Sequence, residues 1–170
     1  MAQTHEENLH RTAAVDKIRE IAKSTRVGFL GTCEHGSPVR FDPMALQDVD
    51  ALGVVWFLSA RSSEKNRRIA RDSRVHLLIS NPADSEYLSL TGSASISDSL
   101  ALREQCWSPL AKMWFPGGVN DPELTVIAMH IEDGHYWDTP HGKAFPWLMI
   151  AVEAVTGRTA DAGVEGRVTP

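Results

Sequence analysis

A chain of 170 residues suits a single domain that buries roughly 70% of its unfolded surface, so neither disulfide nor metal is needed for folding. Its 42% hydrophobic and 23% charged residues are those of an ordinary soluble globule, and a net charge of −5 argues against a general nucleic-acid binder. Cys33 and Cys106 lack CxxC spacing and suit a reducing compartment; no apolar run reaches the ~20 residues of a membrane span, and the polar start lacks the apolar core of a signal peptide. The expected location is the cytoplasm.

In chain order, residues 1–11 read as a flexible tail and Thr12 as the cap of a first helix. Val15, Ile18, Ile21 and Ala22 share one face of that helix. Residues 26–32 read as a strand and 34–37 as a turn. Residues 38–46 form a second strand interrupted near Pro43, followed by a polar turn at 47–50. Residues 52–59 are a nearly continuous apolar strand, buried on both faces. A basic helix follows over about 64–72, then a strand over 75–80.

The clearest alternation comes next. Leu88, Leu90, Gly92, Ala94 and Ile96 share one face, and Ser89, Thr91, Ser93, Ser95 and Ser97 share the other. Asp98 caps a short helix ending at Cys106, and Phe115-Pro116-Gly117-Gly118 makes a loop. Residues 124–131 and 135–138 read as a hairpin around Glu132-Asp133-Gly134, with a helix over 144–155 and an extended tail over 158–170. Six or seven strands and few long helices favour a barrel or sandwich, mainly β, as one domain over 12–157.

Three clusters carry chemistry. Where the apolar strand ends, Ser62 and Ser63 suit a helix N-cap and Lys65 places a charge in the first turn. Helix starts carry unpaired N–H groups and attract anions. Residues 61–74 hold six Lys/Arg against two Asp/Glu, a local net of +4. A phosphate site is the sharp reading, and a capped, solvated helix the plain one. A local nucleic-acid patch is the third. Arg67, Arg68, Arg71 and Arg74 do not share one helical face, so several of them are simply exposed. Trp107, Trp114 and Phe115 lie in a segment punctuated by Pro and Gly; they read equally as a loop stapled by aromatic burial and as a ring-stacking wall or subunit interface. His76, His130, His135 and His141 lack metal-site spacing. No GxSxG, HExxH, P-loop or GxGxxG occurs.

The order of these pieces resembles the flavin-binding split-barrel family of pyridoxamine 5′-phosphate oxidase, and within it the bacterial general stress protein branch. The matching stretches are Val55-Trp56-Phe57-Leu58-Ser59 leading into Ser63-x-Lys65, and the strand Leu88-Ser89-Leu90-Thr91-Gly92-Ser93-Ala94. With them go Trp107, Lys112-x-Trp114-Phe115-Pro116-Gly117-Gly118, Asp121-Pro122 and Tyr136-Trp137-Asp138. The resemblance implies a six-stranded antiparallel split barrel, a homodimer, and FMN (or the related FAD) at the dimer interface, with an oxidoreductase or a non-enzymatic flavin carrier as the function. Vitamin B6 oxidation is the weaker implication, because no second cationic site for a substrate phosphate is evident. By the same resemblance, Phe57, Leu58 and Ser59 line the ring and ribityl chain, Ser63 and Lys65 hold the phosphate, and Trp107, Trp114 and Phe115 approach from the partner. The branch carries Arg-Pro-Met on its second strand with the Arg toward the flavin, whereas this chain has Asp42-Pro43-Met44. An anion there is unfavourable beside a phosphate unless it is paired, and Arg40 substitutes for the missing Arg if the strand bulges by one residue.

Overall fold

Each burial pattern that the sequence shows most clearly becomes one wall of a barrel. The computed structural model describes residues 5–34, 37–138 and 164–170. Along them run β1 (His5–Glu6), β2 (Leu9–His10), α1 (Thr12–Thr25), β3 (Val27–Glu34), β4 (Ser37–Val49) and β5 (Val54–Ala60). They continue with α2 (Glu64–Arg71), β6 (Arg74–Asn81), β7 (Glu86–Ser97), α3 (Leu100–Cys106), β8 (Leu124–Asp138) and β9 (Val164–Thr169). Two 3-10 turns, Pro109–Met113 and Gly118–Asn120, join α3 to β8.

Strands pair antiparallel in the order β3-β4-β5-β8-β7-β6, and β6 pairs back onto β3. The six strands therefore close into a barrel with flanking helices, the expected split-barrel fold, and closure removes the exposed edges of an open sheet. Leu30, Val55, Phe57, Leu77, Leu90, Ile127 and Met129 are fully buried in its core or nearly so. Alternation on β7 is as read: Leu88, Leu90, Gly92 and Ala94 are buried, and Tyr87, Thr91 and Ser95 are exposed. From α1, Ala14, Val15, Ile18, Ile21 and Ala22 are buried. α2 lays Ile69 into the same core.

Several boundaries differ from the sequence reading, each for a physical reason. Thr12 lies inside α1 rather than capping it; Arg11 precedes the helix with φ 53° and no side-chain cap. β4 runs unbroken through Pro43, which stands opposite Phe29. β5 pairs with β4 only from Leu46 onward, so the ring of Pro43 costs no ladder bond on that side. The turn falls at residues 50–53 instead of 47–50. There Asp50 accepts from the backbone N–H of Leu52 (2.9 Å) and Val54 (3.0 Å) and from Trp56 Nε1 (3.0 Å), and Gly53 takes φ 78°.

The expected hairpin at 132–134 does not form. β8 is one continuous strand, because β7 pairs with both halves of it. Opposite Thr91 and Gly92 the register skips from Asp133 to Ile131, leaving Glu132 as a bulge. Ser99, not Asp98, precedes α3, and Asp98 instead pairs with Arg61. The two expected tails meet: β9 pairs antiparallel with β8 and parallel with β1 and β2. The expected helix over 144–155 and much of the turn at 34–37 lie outside the described residues.

Candidate functional site

β5 ends at Ala60, and three residues later Ser63 caps α2, its hydroxyl accepting from Asn66 N at 3.3 Å. The cap joins a buried polar network. Ser63 Oγ lies 3.3 Å from Ser59 Oγ, Asn66 Nδ2 donates to Thr125 Oγ1 (2.9 Å), and Thr125 Oγ1 donates to the Ser59 carbonyl (2.8 Å). Asn66 is only 5% exposed, and its Oδ1 has no partner. The backbone N–H groups of Glu64 and Lys65 lie in the first helical turn and find no partner within the helix. Lys65 is half-buried and has no ion-pair partner among the described residues. A capped, positively polarised helix start with a free lysine is an anion-binding arrangement.

One anion is already there. Glu123 Oε2 accepts from Ser62 Oγ at 2.6 Å and from Ser62 N at 3.1 Å. Those bonds, the hydroxyl's first, hold the Glu123 carboxyl below the ordinary carboxylate range. Ser62 is thus committed to Glu123, and the Ser63 N–H to the Ala60 carbonyl (3.0 Å). The open donors of the helix start are therefore the first-turn N–H groups of Glu64 and Lys65 and the Lys65 ammonium, with the Ser63 hydroxyl shared with Ser59.

Asp42, in place of the branch's Arg, is paired. Arg68 on α2 donates through Nη2 to Asp42 Oδ2 (2.8 Å) and through Nε to Thr32 Oγ1 (2.6 Å), with its own side chain 7% exposed. The guanidinium that meets Asp42 comes from the helix. Arg40 stands opposite Thr32 in regular register, two residues from Asp42 on the same face. No bulge separates them, since the irregularity of this ladder lies beyond Thr32, so Arg40 keeps its own position rather than taking that of Asp42. Other charges of the basic stretch are paired too: Arg67 with Glu64, Arg74 with Asp72, Arg61 with Asp98.

Of the remaining expected residues, Phe57 is fully buried, backbone included, between Leu46 of β4 and Ile127 of β8. Leu58 and Trp107 pack against a small second core of Ala111, Phe115 and Leu124. Phe115 is thereby held within its own subunit, whereas Trp114 is 68% exposed. The loop is stapled by two of its aromatics and presents the third.

Among the described residues no cluster of three metal-ligating side chains occurs. His76 shares a 2.8 Å hydrogen bond with Ser89 Oγ, and His135 lies 3.7 Å from Glu165; His141 is outside the described residues. Burial pushes the Cys106 thiol up to about 11, which makes it a poor nucleophile. A polar cleft of about 550 Å³ opens between Ser89, Thr91, Asp133, His135 and Arg167 on the outer faces of β7, β8 and β9, and none of the expected site residues lines it. Sequence reading misses Arg68, Asn66, Thr125 and Glu123, because their partners lie 26 to 66 residues away in the chain. No described helix is long and apolar enough to cross a membrane.

Comparison with known proteins agrees with this architecture. General stress protein 26 of Bacillus subtilis (strain 168) is 25% identical over 121 residues, which cover 69% of this chain and 83% of that one. A general stress protein 26-type structure from Jannaschia sp. CCS1 superposes with a TM-score of 0.74 at 25% identity, covering 91% of this chain and 97% of its own. The general stress FMN/FAD binding protein of Xanthomonas citri shares the fold, with a TM-score of 0.64 at 21% identity over 74% of this chain and 88% of that one. A family model described as pyridoxamine 5′-phosphate oxidase like matches residues 13–161, and the chain belongs to that family.

Proposed function

We propose that this chain is an FMN-binding, stress-associated protein that acts in the cytoplasm as a homodimer and serves as a flavin-dependent oxidoreductase on a small metabolite. The observation that carries the reading is the start of α2. A Ser63 cap, two first-turn N–H groups and a Lys65 without an ion-pair partner among the described residues share the helix start where the resemblance expects a phosphate. This donor set fits a phosphate ester: neutral donors orient its oxygens and a lysine supplies charge. Arg40, on the same face of β4 as Asp42, adds a second cation with no ion-pair partner among the described residues. The Xanthomonas citri relative, described as FMN/FAD binding, supports a flavin and leaves FAD as the alternative cofactor.

When bound, the flavin would supply the electron transfer, and the protein would supply binding, orientation and exclusion of water. Ser63 and Lys65 would hold the phosphate, the ends of β5 would set the depth of the ring, and Trp114 would offer an open aromatic face. No described side chain is assigned as a proton donor or acceptor. A flavin carrier or sensor uses the same contacts. The two differ in turnover, since only an oxidoreductase repeatedly reoxidises a reduced donor in oxygen.

The direct test is an absorbance spectrum after FMN addition and gel filtration, with near-stoichiometric retained flavin expected. Lys65→Ala should then weaken FMN roughly tenfold and riboflavin little, because only FMN carries the phosphate. Equal losses for the two ligands would remove the phosphate role.

A further inference from the structure

We propose that Asp42 is a positioning residue: through Arg68 it fixes α2, and with it the donors of Ser63 and Lys65. The proposal rests on the flavin reading above and concerns how its phosphate end is held in place. α2 has only eight residues, too few to hold a direction by helix propensity, so contacts with the barrel must aim it. Three anchors do so. Ile69 enters the core and resists lifting, but an apolar contact restrains rotation weakly. Asn66 ties the first turn to β8 through one hydrogen bond to Thr125. Arg68 supplies the restraint that spans two strands, since its planar guanidinium is bonded to β3 through Thr32 and to β4 through Asp42. Lys65 lies three residues before Arg68, on the same helical face, so a turn of α2 that loses this pair also moves Lys65.

Energetics separate positioning from stability. The Arg68 side chain is 7% exposed and that of Asp42 36%, so the pair is half-buried: desolvation of Arg68 offsets much of its Coulomb gain, and an apolar pair of similar volume is often as stable. The fold alone therefore does not require Asp42 and Arg68. Orientation does. Each partner also has, on its own element, a cation with no ion-pair partner among the described residues: Arg40 two residues before Asp42 on β4 and Lys65 three before Arg68 on α2, while the Asp42 carboxylate pairs with Arg68.

The experiment compares the parent with Asp42→Leu/Arg68→Met, Asp42→Asn and Lys65→Ala. FMN and riboflavin affinities are read by fluorescence quenching, and the flavin-free proteins are melted. The double variant should melt within a few degrees of the parent, bind FMN roughly tenfold more weakly, and bind riboflavin nearly unchanged. Asp42→Asn keeps an acceptor but loses the charge, and should fall between, with FMN roughly three- to fivefold weaker. A folded double variant with parental FMN affinity overturns the positioning role. If the double variant does not fold, parental affinity in Asp42→Asn does the same. Lys65→Ala separates the two levels. If it weakens FMN and riboflavin alike, or if the parent retains no FMN, the flavin reading fails and this proposal with it. If Lys65→Ala discriminates and the Asp42 variants do not, only the positioning role is lost.

Discussion

Glu123 opposes the charge of the basic stretch at the mouth of the candidate site. Its carboxylate accepts from Ser62 just before α2 begins, so it partly satisfies the anion-attracting end of the helix from within. Replacing it by Gln keeps an acceptor for Ser62 and removes the charge. Glu123→Gln should bind FMN roughly two- to fivefold more tightly at low ionic strength, with the gain shrinking as salt screens an exposed group. Weaker binding would instead mean that the charge is needed to hold Ser62 in place. The acid dependence has a definite sign. Ser62 lowers the folded-state pKa of Glu123 below its unfolded value. The stabilisation from this contact is therefore complete above the ordinary carboxylate range and disappears as pH falls through the lowered value. The difference between parent and Glu123→Gln should accordingly persist through mildly acidic pH and vanish only in stronger acid, which a pH series of FMN titrations would follow. Ser63 itself is legible in the sequence because capping is local: a hydroxyl before a run of helix formers satisfies an N–H three residues ahead. Ser63→Ala should cost about 1 kcal/mol in urea unfolding. Glu123 and Asp42 are not legible, because nothing near them in the chain indicates which cation or donor each will meet.

Between elements, the decisive departure is β8, a strand where local chemistry spells a turn. Glu132-Asp133-Gly134 has the composition of a hairpin loop, yet the ladder with β7 runs from Tyr87↔Trp137 to Ser97↔Val126 and carries the chain straight through. A ladder of that length outweighs a local turn preference, and the surplus residue is absorbed as the bulge at Glu132. Gly92 makes this possible. A Cβ placed there would lie 2.0 Å from the His130 carbonyl oxygen, so the two backbones cross where no side chain fits. Gly92→Ala must push backbone against backbone and should destabilise by about 3 kcal/mol, read as a lower urea midpoint with an unchanged slope. Unchanged stability would mean that the two strands part there at no cost. The same contrast explains which elements the sequence discloses. β7 and α1 each bury one regular face, so their period is visible residue by residue. β9 is six residues at the chain end with a partner thirty residues earlier, and β1 and β2 are two residues each. Their pairing is a property of the assembled barrel, not of their own composition.

At the scale of the whole molecule, the barrel leaves one outer face unusually apolar. Val27, Phe29, Val39 and Phe41 stand 43–48% exposed on adjacent strands β3 and β4. Phe41 and Val39 lie over Gly31, whose missing Cβ gives them room, and Phe29 pairs across to Leu78 of β6. Monomeric proteins seldom expose so large an apolar cluster without using it. A second copy of the chain is the occupant expected from the resemblance, and a stable dimer needs roughly 800 Å² on each partner, which several strands of one barrel face can provide. A second ridge, Leu110, Met113 and Trp114, is 68–76% exposed and is well suited to reach across such an interface. Charging the centre of the first face should separate assembly from folding. Phe29→Asp/Phe41→Asp replaces two exposed rings and touches no fully buried core residue, so circular dichroism should be unchanged. In sedimentation the parent should run as a dimer and the double variant as a monomer at the same concentration. If the flavin is held between two copies, the monomer should also lose FMN on gel filtration even though Ser63 and Lys65 are intact. A monomer that retains FMN would make the site complete within one chain, and a variant that stays dimeric would move the interface to the Leu110–Trp114 ridge.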